Sequence, residues 1–192
     1  MRIVITGVPG TGKTTLCNLI AGNTTLKLIP EIETVVMNKM GFSNANELYQ
    51  RLGDKGMIDW FSEFLDEKIK LDLSEQNYVA DKSLFDCGAR WFARMWKGAT
   101  EEQHEKVREA MSEVSKGVYD KILYLPLHMK RETGEGYGRT QDKNLRYQRG
   151  LILQGLFGEY KVPFESYEFS FTDSPEKVIK DLGLEGFKKS KY

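Results

Sequence analysis

An α/β fold, with a parallel sheet of about five strands and helices on both faces, is predicted by three observations. Short apolar runs bounded by turn residues alternate with amphipathic stretches along the 192 residues, the pattern of a parallel sheet wrapped by helices. The first run, Ile3-Val4-Ile5, opens into the glycine-rich loop Gly7-Val8-Pro9-Gly10-Thr11-Gly12-Lys13-Thr14, and the helical stretch Thr15 to Ile20 follows. No repeat, low-complexity tract or linker divides the chain, and its length suits one well-cored domain over residues 1–192.

The elements follow in order. Leu26 to Ile29 ends at Pro30 and reads as the second strand. Helical stretches run from Ile32 to Met40, from Asn46 to Leu52 and from Ile58 to Leu71. In the last of these Trp60, Phe61, Phe64 and Leu65 make an apolar face that belongs in the core. Tyr78-Val79-Ala80, running into Asp81, is the third strand. Thr100-Glu101-Glu102-Gln103 has the form of a capping box and opens a helix to about Lys116, closed by Gly117. Lys121 to Leu125 is the fourth strand. A polar, glycine-rich stretch, His128 to Gln141, precedes a helix to about Tyr160. A fifth strand lies near Phe164 to Phe169 and a last helix starts at Ser174-Pro175-Glu176. Lys188-Lys189-Ser190-Lys191 reads as a solvated tail.

Composition narrows the partners. Basic and acidic residues balance at 28 each, which suggests a small substrate over a nucleic-acid or membrane surface. No apolar run approaches the roughly 20 residues needed to span a bilayer. Met1-Arg2 leads straight into the loop-bearing strand, where signal cleavage would destroy the site, so a cytoplasmic chain is expected. Cys17 and Cys87 have neither metal-ligand nor disulfide-scaffold spacing and read as small core residues.

The loop fits the form G-x-x-x-x-G-K-[ST]. Its glycines let successive N–H groups point inward, and the helix behind it adds the positive end of its dipole, so anionic phosphates are held. Gly7, Pro9, Gly10, Thr11, Gly12, Lys13, Thr14 and Thr15 form this cradle; Lys13 reaches the β- and γ-phosphates of ATP and the Thr14 hydroxyl ligates Mg²⁺. Asp81, at the carboxyl end of the third strand, lies at the sheet edge where ligands bind. Either it holds Mg²⁺ with Thr14 or it caps the helix starting at Ser83; Asp86 is either functional or a solvated helix residue.

Lys130, Arg131, Arg139, Arg146 and Arg149 surround Gly134, Gly136 and Gly138. A flexible segment carrying cations is what a lid over a triphosphate requires, and it is placed at approximately 128–146. Arg139 is the leading candidate and Arg146 the second; a solvated charged face is the alternative. Glu31, directly after the second strand, is the candidate base for an acceptor hydroxyl, with Glu33 and Asp81 open as well, and either glutamate could instead serve a helix N-terminus. Trp91, Trp96 and Tyr49 either stack on an acceptor base or pack in the core.

Taken together, GVPGTGKTT at 7–15, the Pro30-Glu31 pair, DKSLFDCGA at 81–89 and GYGRTQDKNLR at 136–146 resemble the small P-loop kinases of nucleosides and nucleotides, especially the branch of P-loop kinase-like ATPases that includes nicotinamide riboside kinases. The resemblance spans most of the chain. It implies a P-loop NTPase three-layer sandwich with a lid, and metal- or phosphate-binding roles for Asp81, Arg139 and Arg146. Two departures touch the acceptor side. Lys82 stands where the family has Arg, losing the planar bidentate fork, and Thr34 stands where an arginine often follows the Glu. The expected activity is an ATP- and Mg²⁺-dependent transfer of the γ-phosphate to a nucleoside- or nucleotide-like acceptor. One alternative is a kinase acting on a modified base or end of DNA or RNA. Another is a nucleotide switch or AAA+-like ATPase module, since GVPGTGKT also looks like the AAA+ loop. Against that module, no Asp-Glu pair closes an apolar strand and no guanine-reading Asn-Lys-x-Asp element occurs.

Overall fold

Five strands carry the fold: β1 Arg2–Thr6, β2 Lys27–Ile29, β3 Tyr78–Asp81, β4 Lys121–Tyr124 and β5 Glu165–Ser166. They pair in the order β2-β3-β1-β4-β5, every pair parallel. The computed structural model describes residues 1–43, 45–127 and 143–189. The helices are α1 Lys13–Asn23, α2 Ile32–Lys39, α3 Ala45–Ser74, α4 Leu84–Arg90, α5 Glu101–Ser115, α6 Lys143–Glu159 and α7 Pro175–Asp181.

Both faces of the sheet are buried, which is why its strands read as near-continuous apolar runs rather than as alternating ones. Ile3, Ile5, Val79 and Leu123 face a cluster completed by Leu16, Cys17 and Ile20 of α1 and Val178 and Ile179 of α7. Val4, Tyr78, Ala80 and Ile122 face the opposite way, onto the larger cluster built by α3 to α6. The product is helix, sheet, helix: the three layers the sequence implies. Trp60, Phe61, Phe64 and Leu65 are all buried in the larger cluster. Lys68 and Asp72, four residues apart on α3, form an ion pair sealed from solvent there, and the Tyr119 hydroxyl donates to the same aspartate at 2.5 Å. Both cysteines are free and buried, and burial raises the Cys87 thiol to about 12.

The structure departs from the sequence reading at three elements. The two expected helices, Asn46 to Leu52 and Ile58 to Leu71, are present within the range of α3, but they meet at a single non-helical residue, Gly53, at φ +62°, with no loop over 53–57 between them. Glycine adopts that conformation without a Cβ penalty, so the break is a kink rather than a loop. The fifth strand pairs only over Glu165–Ser166, shorter than Phe164 to Phe169: its register with β4 covers Leu123 and Tyr124, and the Tyr167 N–H makes the last bond, to the Tyr124 carbonyl at 2.9 Å. The basic tail is not wholly solvated: Lys188 bridges to Thr24, and Lys189 Nζ donates to the Ala21 and Gly22 carbonyls. These carbonyls close α1 and lack partners within the helix, so a cation is drawn to them. The lid reading at 128–146 falls outside the described residues except for 143–146, which start α6.

Candidate active site

The phosphate loop leaves the carboxyl end of β1, the middle strand of five, with β3 on one side and β4 on the other. That position is the crevice at which open α/β sheets bind ligands. Gly7, Gly10 and Gly12 have φ of +139°, +86° and +97°, a region that L side chains avoid. At Gly7 space forbids a side chain as well, since a Cβ would stand 2.6 Å from the Leu125 carbonyl oxygen. Thr11 Oγ1 and Lys13 Nζ both donate to the Val8 carbonyl, at 3.0 and 2.9 Å, so the loop is braced around one acceptor. Gly12 precedes α1 without any side-chain cap. The first-turn N–H groups are thus free of a capping side chain and can meet an anion.

Asp81 ends β3 opposite this loop. Its Oδ2 accepts from the Thr14 hydroxyl at 2.5 Å, while its Oδ1 is buried with no hydrogen-bond partner. The helix-cap alternative for Asp81 does not hold. Ser83 is the N-cap of α4, closing a capping box with Asp86, and this frees Asp81 for the cleft. Burial raises the Asp81 pKa, opposed chiefly by the Lys13 ammonium. Burial lowers that of Lys13, opposed by Asp81 and Asp86. A hard oxygen donor without a partner beside a hydroxyl fits Mg²⁺, which takes few protein ligands and keeps its waters. Asp86 is structural: its carboxylate accepts from Thr6 Oγ1 at 2.6 Å, Gly7 N at 3.1 Å, and Ser83 N and Oγ at 2.7 Å each. It thereby fixes the start of the loop against α4.

Across the cleft runs a strip of alternating charge. Lys82 Nζ bonds Glu31 and stands 3.4 Å from Glu33, and Arg90 closes the strip on the other oxygen of Glu33. Lys82 holds φ +79°, unusual for a lysine, and its N–H donates to the Ile5 carbonyl at 3.0 Å. That turn aims its ammonium at the glutamates. The Lys82 charge lowers the Glu31 pKa, against burial. Burial pulls Lys82 down, but Glu31 and the other carboxylates more than offset this and its pKa is raised. Glu31 is therefore a carboxylate at neutral pH, able to accept a hydrogen bond. A group with a depressed folded pKa stabilises above its unfolded value and loses that contribution as pH falls through the folded one. Acid titration should thus remove the contribution of the pair only below Glu31's ordinary value of 4.5. Thermal melts of wild type and Lys82→Met across pH 3 to 7 check this: their difference should shrink only at the acid end.

Lys13, Thr14, Asp81, Asp86 and the strip Glu31, Lys82, Glu33 and Arg90 line one cleft of about 1100 Å³, with Phe61, Phe64 and Met37 among its apolar wall and Phe171 beside Gly12. Lys13, Thr14, Asp81, Glu31 and Glu33 are brought together there. Arg146 is buried on α6, its Nε without a partner, and does not line the cleft; Arg149, one turn later, does. Arg139 lies outside the described residues. Trp91 is core, donating to His104 Nδ1 at 3.1 Å, and the half-exposed Trp96 packs against the same histidine with the rings tilted by 44°; neither lines the cleft. The Tyr49 side chain lies outside the described residues. Arg90 and Arg94 were missed by sequence reasoning. Their four-residue spacing after the Asp81 element puts both on one helical side, and that was the available signal.

Strand order, loop and cleft define the fold of the small P-loop kinases. The chain belongs to the AAA domain family, whose model matches residues 2–168. Among solved structures it is similar to deoxyadenosine kinase from M. mycoides with bound dCTP, at 16% identity and TM-score 0.63, over 95% of this chain and 99% of that one. Thymidylate kinase from Candida albicans is similar at 17% identity and TM-score 0.63, over 94% and 88%. The NadR protein in complex with NR is similar at 14% identity and TM-score 0.66, over 99% of this chain and 53% of that one. No curated protein sequence matches the chain. Identities of this size establish a shared fold. No described helix is long and apolar enough to cross a membrane.

Proposed function

We propose that the protein is an ATP-dependent phosphotransferase that moves the γ-phosphate to a nucleoside- or nucleotide-like acceptor. The observation that carries this reading is that one cleft holds both a phosphate cradle and, facing it, a separate polar strip made of Glu31, Lys82, Glu33 and Arg90. A donor alone would need only the cradle. The Lys13 ammonium and the first-turn N–H groups of α1 bind and orient the β- and γ-phosphates. Thr14 and Asp81 would hold Mg²⁺, which when bound supplies charge neutralisation to the phosphates. Glu31 accepts a hydrogen bond from the acceptor hydroxyl and aims its oxygen at the donor. A loose transition state asks little more of a base than that positioning. The apolar wall with Phe61 and Phe64 offers a face for a planar group and keeps water from the transferring phosphoryl.

The AAA domain family name fits the switch or remodelling alternative equally well at the phosphate loop. Such a module hydrolyses nucleotide without an acceptor, and the opposed strip then has no task. ADP release measured with and without candidate acceptors separates the two. Stimulation by one class of nucleoside, nucleotide or oligonucleotide is expected. Hydrolysis indifferent to every acceptor supports the switch.

A further inference from the structure

Three guanidinium groups converge on the acceptor half of the cleft. Arg90 ends α4, Arg94 lies in the π-helical turn Trp91–Met95 that continues it, and Arg149 comes from α6, which packs against α4. All three line the cleft. They are close enough to act on one another. After burial, the charges of Arg149 and Arg94 push Arg90 down, opposed by the Glu31 carboxylate, while Glu33 pairs with it directly. Burial and then Arg94 push Arg149 down to about 10. Among the described residues only Arg90 of the three has a carboxylate partner; Arg94 and Arg149 have none. The Nε atoms of Arg90 and Arg149 are buried without a hydrogen-bond acceptor.

Like charges gathered in a partly buried place, with donors left unmet, cost free energy until an anion arrives. The triphosphate has its own cradle, and the tether of Arg90 to Glu33 holds it on the side of Glu31 and Lys82, away from the loop. α6 nonetheless passes beside the loop, since a Cβ on Gly150 would stand 3.4 Å from Val8. The π-turn widens the helix by one residue per turn and alters where Arg94 is presented, a distortion common at functional sites.

We infer that Arg90, Arg94 and Arg149 form a second anion subsite on the acceptor side, and that the molecule phosphorylated here already carries a phosphate. This rests on the kinase reading above and selects nucleotides over nucleosides as its substrate class. The planar fork of each arginine matches phosphate oxygens in pairs, which compensates for the fork lost at Lys82. The phosphate is either that of a free mononucleotide or a phosphodiester within a strand, and the chemistry of recognition is shared.

The test is equilibrium binding to protein saturated with a non-hydrolysable ATP analogue, using deoxynucleosides, their 5′-monophosphates and dinucleotides of the same bases. The same acceptors are assayed for transfer from ATP. A monophosphate or dinucleotide should bind about tenfold to a hundredfold more tightly than its nucleoside, as expected when charged hydrogen bonds are gained. That preference should collapse in Arg94→Ala and Arg149→Ala while the affinity for the ATP analogue stays within about twofold, since each removes only acceptor-side contacts. The arm that shows the preference identifies the source of the phosphate. The inference is overturned if no monophosphate or dinucleotide binds more tightly than its nucleoside, or if both substitutions weaken the ATP analogue and leave the preference intact. Selective binding without transfer to any of them would leave the subsite standing and count against the kinase reading, so the two failures are told apart.

Discussion

Lys13→Ala should abolish phosphoryl transfer, with a loss on the order of a hundredfold to a thousandfold or more, the scale for removing one preorganised charge-stabilising donor. The structure gives the reason for expecting loss of function without loss of fold. Lys13 is buried, burial lowers its pKa, and its ammonium is held by one neutral acceptor, the Val8 carbonyl at 2.9 Å. An ammonium kept so deep with only a carbonyl for a direct partner is poised for an anion. Its removal leaves the Thr11 hydroxyl still on Val8, at 3.0 Å, so the loop keeps a brace. The melting temperature should therefore change by only a few degrees, the size expected for about 1 kcal/mol in a domain of this length. A variant that melts normally and transfers at the wild-type rate would remove the loop from the mechanism.

Asp81→Asn should cost transfer on a similar scale, about a hundredfold or more as for other removed transition-state charges, and should blunt its dependence on Mg²⁺. Asn keeps the size of the side chain and can still accept from Thr14, so the contact at 2.5 Å need not be lost. What disappears is the charge at the partnerless Oδ1. Because that charge is buried, its removal should not lower the stability of the metal-free protein. Titrating Mg²⁺ while following both transfer and melting temperature separates the roles. Wild type should respond in both, the variant in neither.

The parts of this molecule that were legible in the sequence are those set by short-range chemistry. Gly7, Gly10 and Gly12 occupy the positive φ that their spacing announces, and the Thr100 and Ser174 caps begin α5 and α7 as their side chains require. Ile3, Val4 and Ile5 read as a doubly buried strand and are one. Lys13, Thr14 and Asp81 meet because parallel strands bring all their carboxyl ends to one edge, a consequence of topology that alternation alone implies. What could not be read depends on which helix faces pack together. Arg90, Arg94 and Arg149 lie on two helices separated by α5 and β4, and only the packing of α4 on α6 makes them neighbours. The same holds for Asp86. On sequence it is one more helix carboxylate; in the fold it ties Thr6 and Gly7 to Ser83. The pairing of Glu31 with Lys82 likewise needs the left-handed turn at Lys82, which no local preference of lysine predicts.

The measurement that tests the central claim most directly follows the label from γ-labelled ATP, with Lys13→Ala alongside, over deoxynucleosides, ribonucleosides, their monophosphates, and single- and double-stranded DNA with modified pyrimidines. The account predicts a labelled acceptor that depends on Mg²⁺ and disappears in the variant. ATP bound by the loop and hydrolysed to labelled inorganic phosphate, at a rate indifferent to every acceptor, would contradict it.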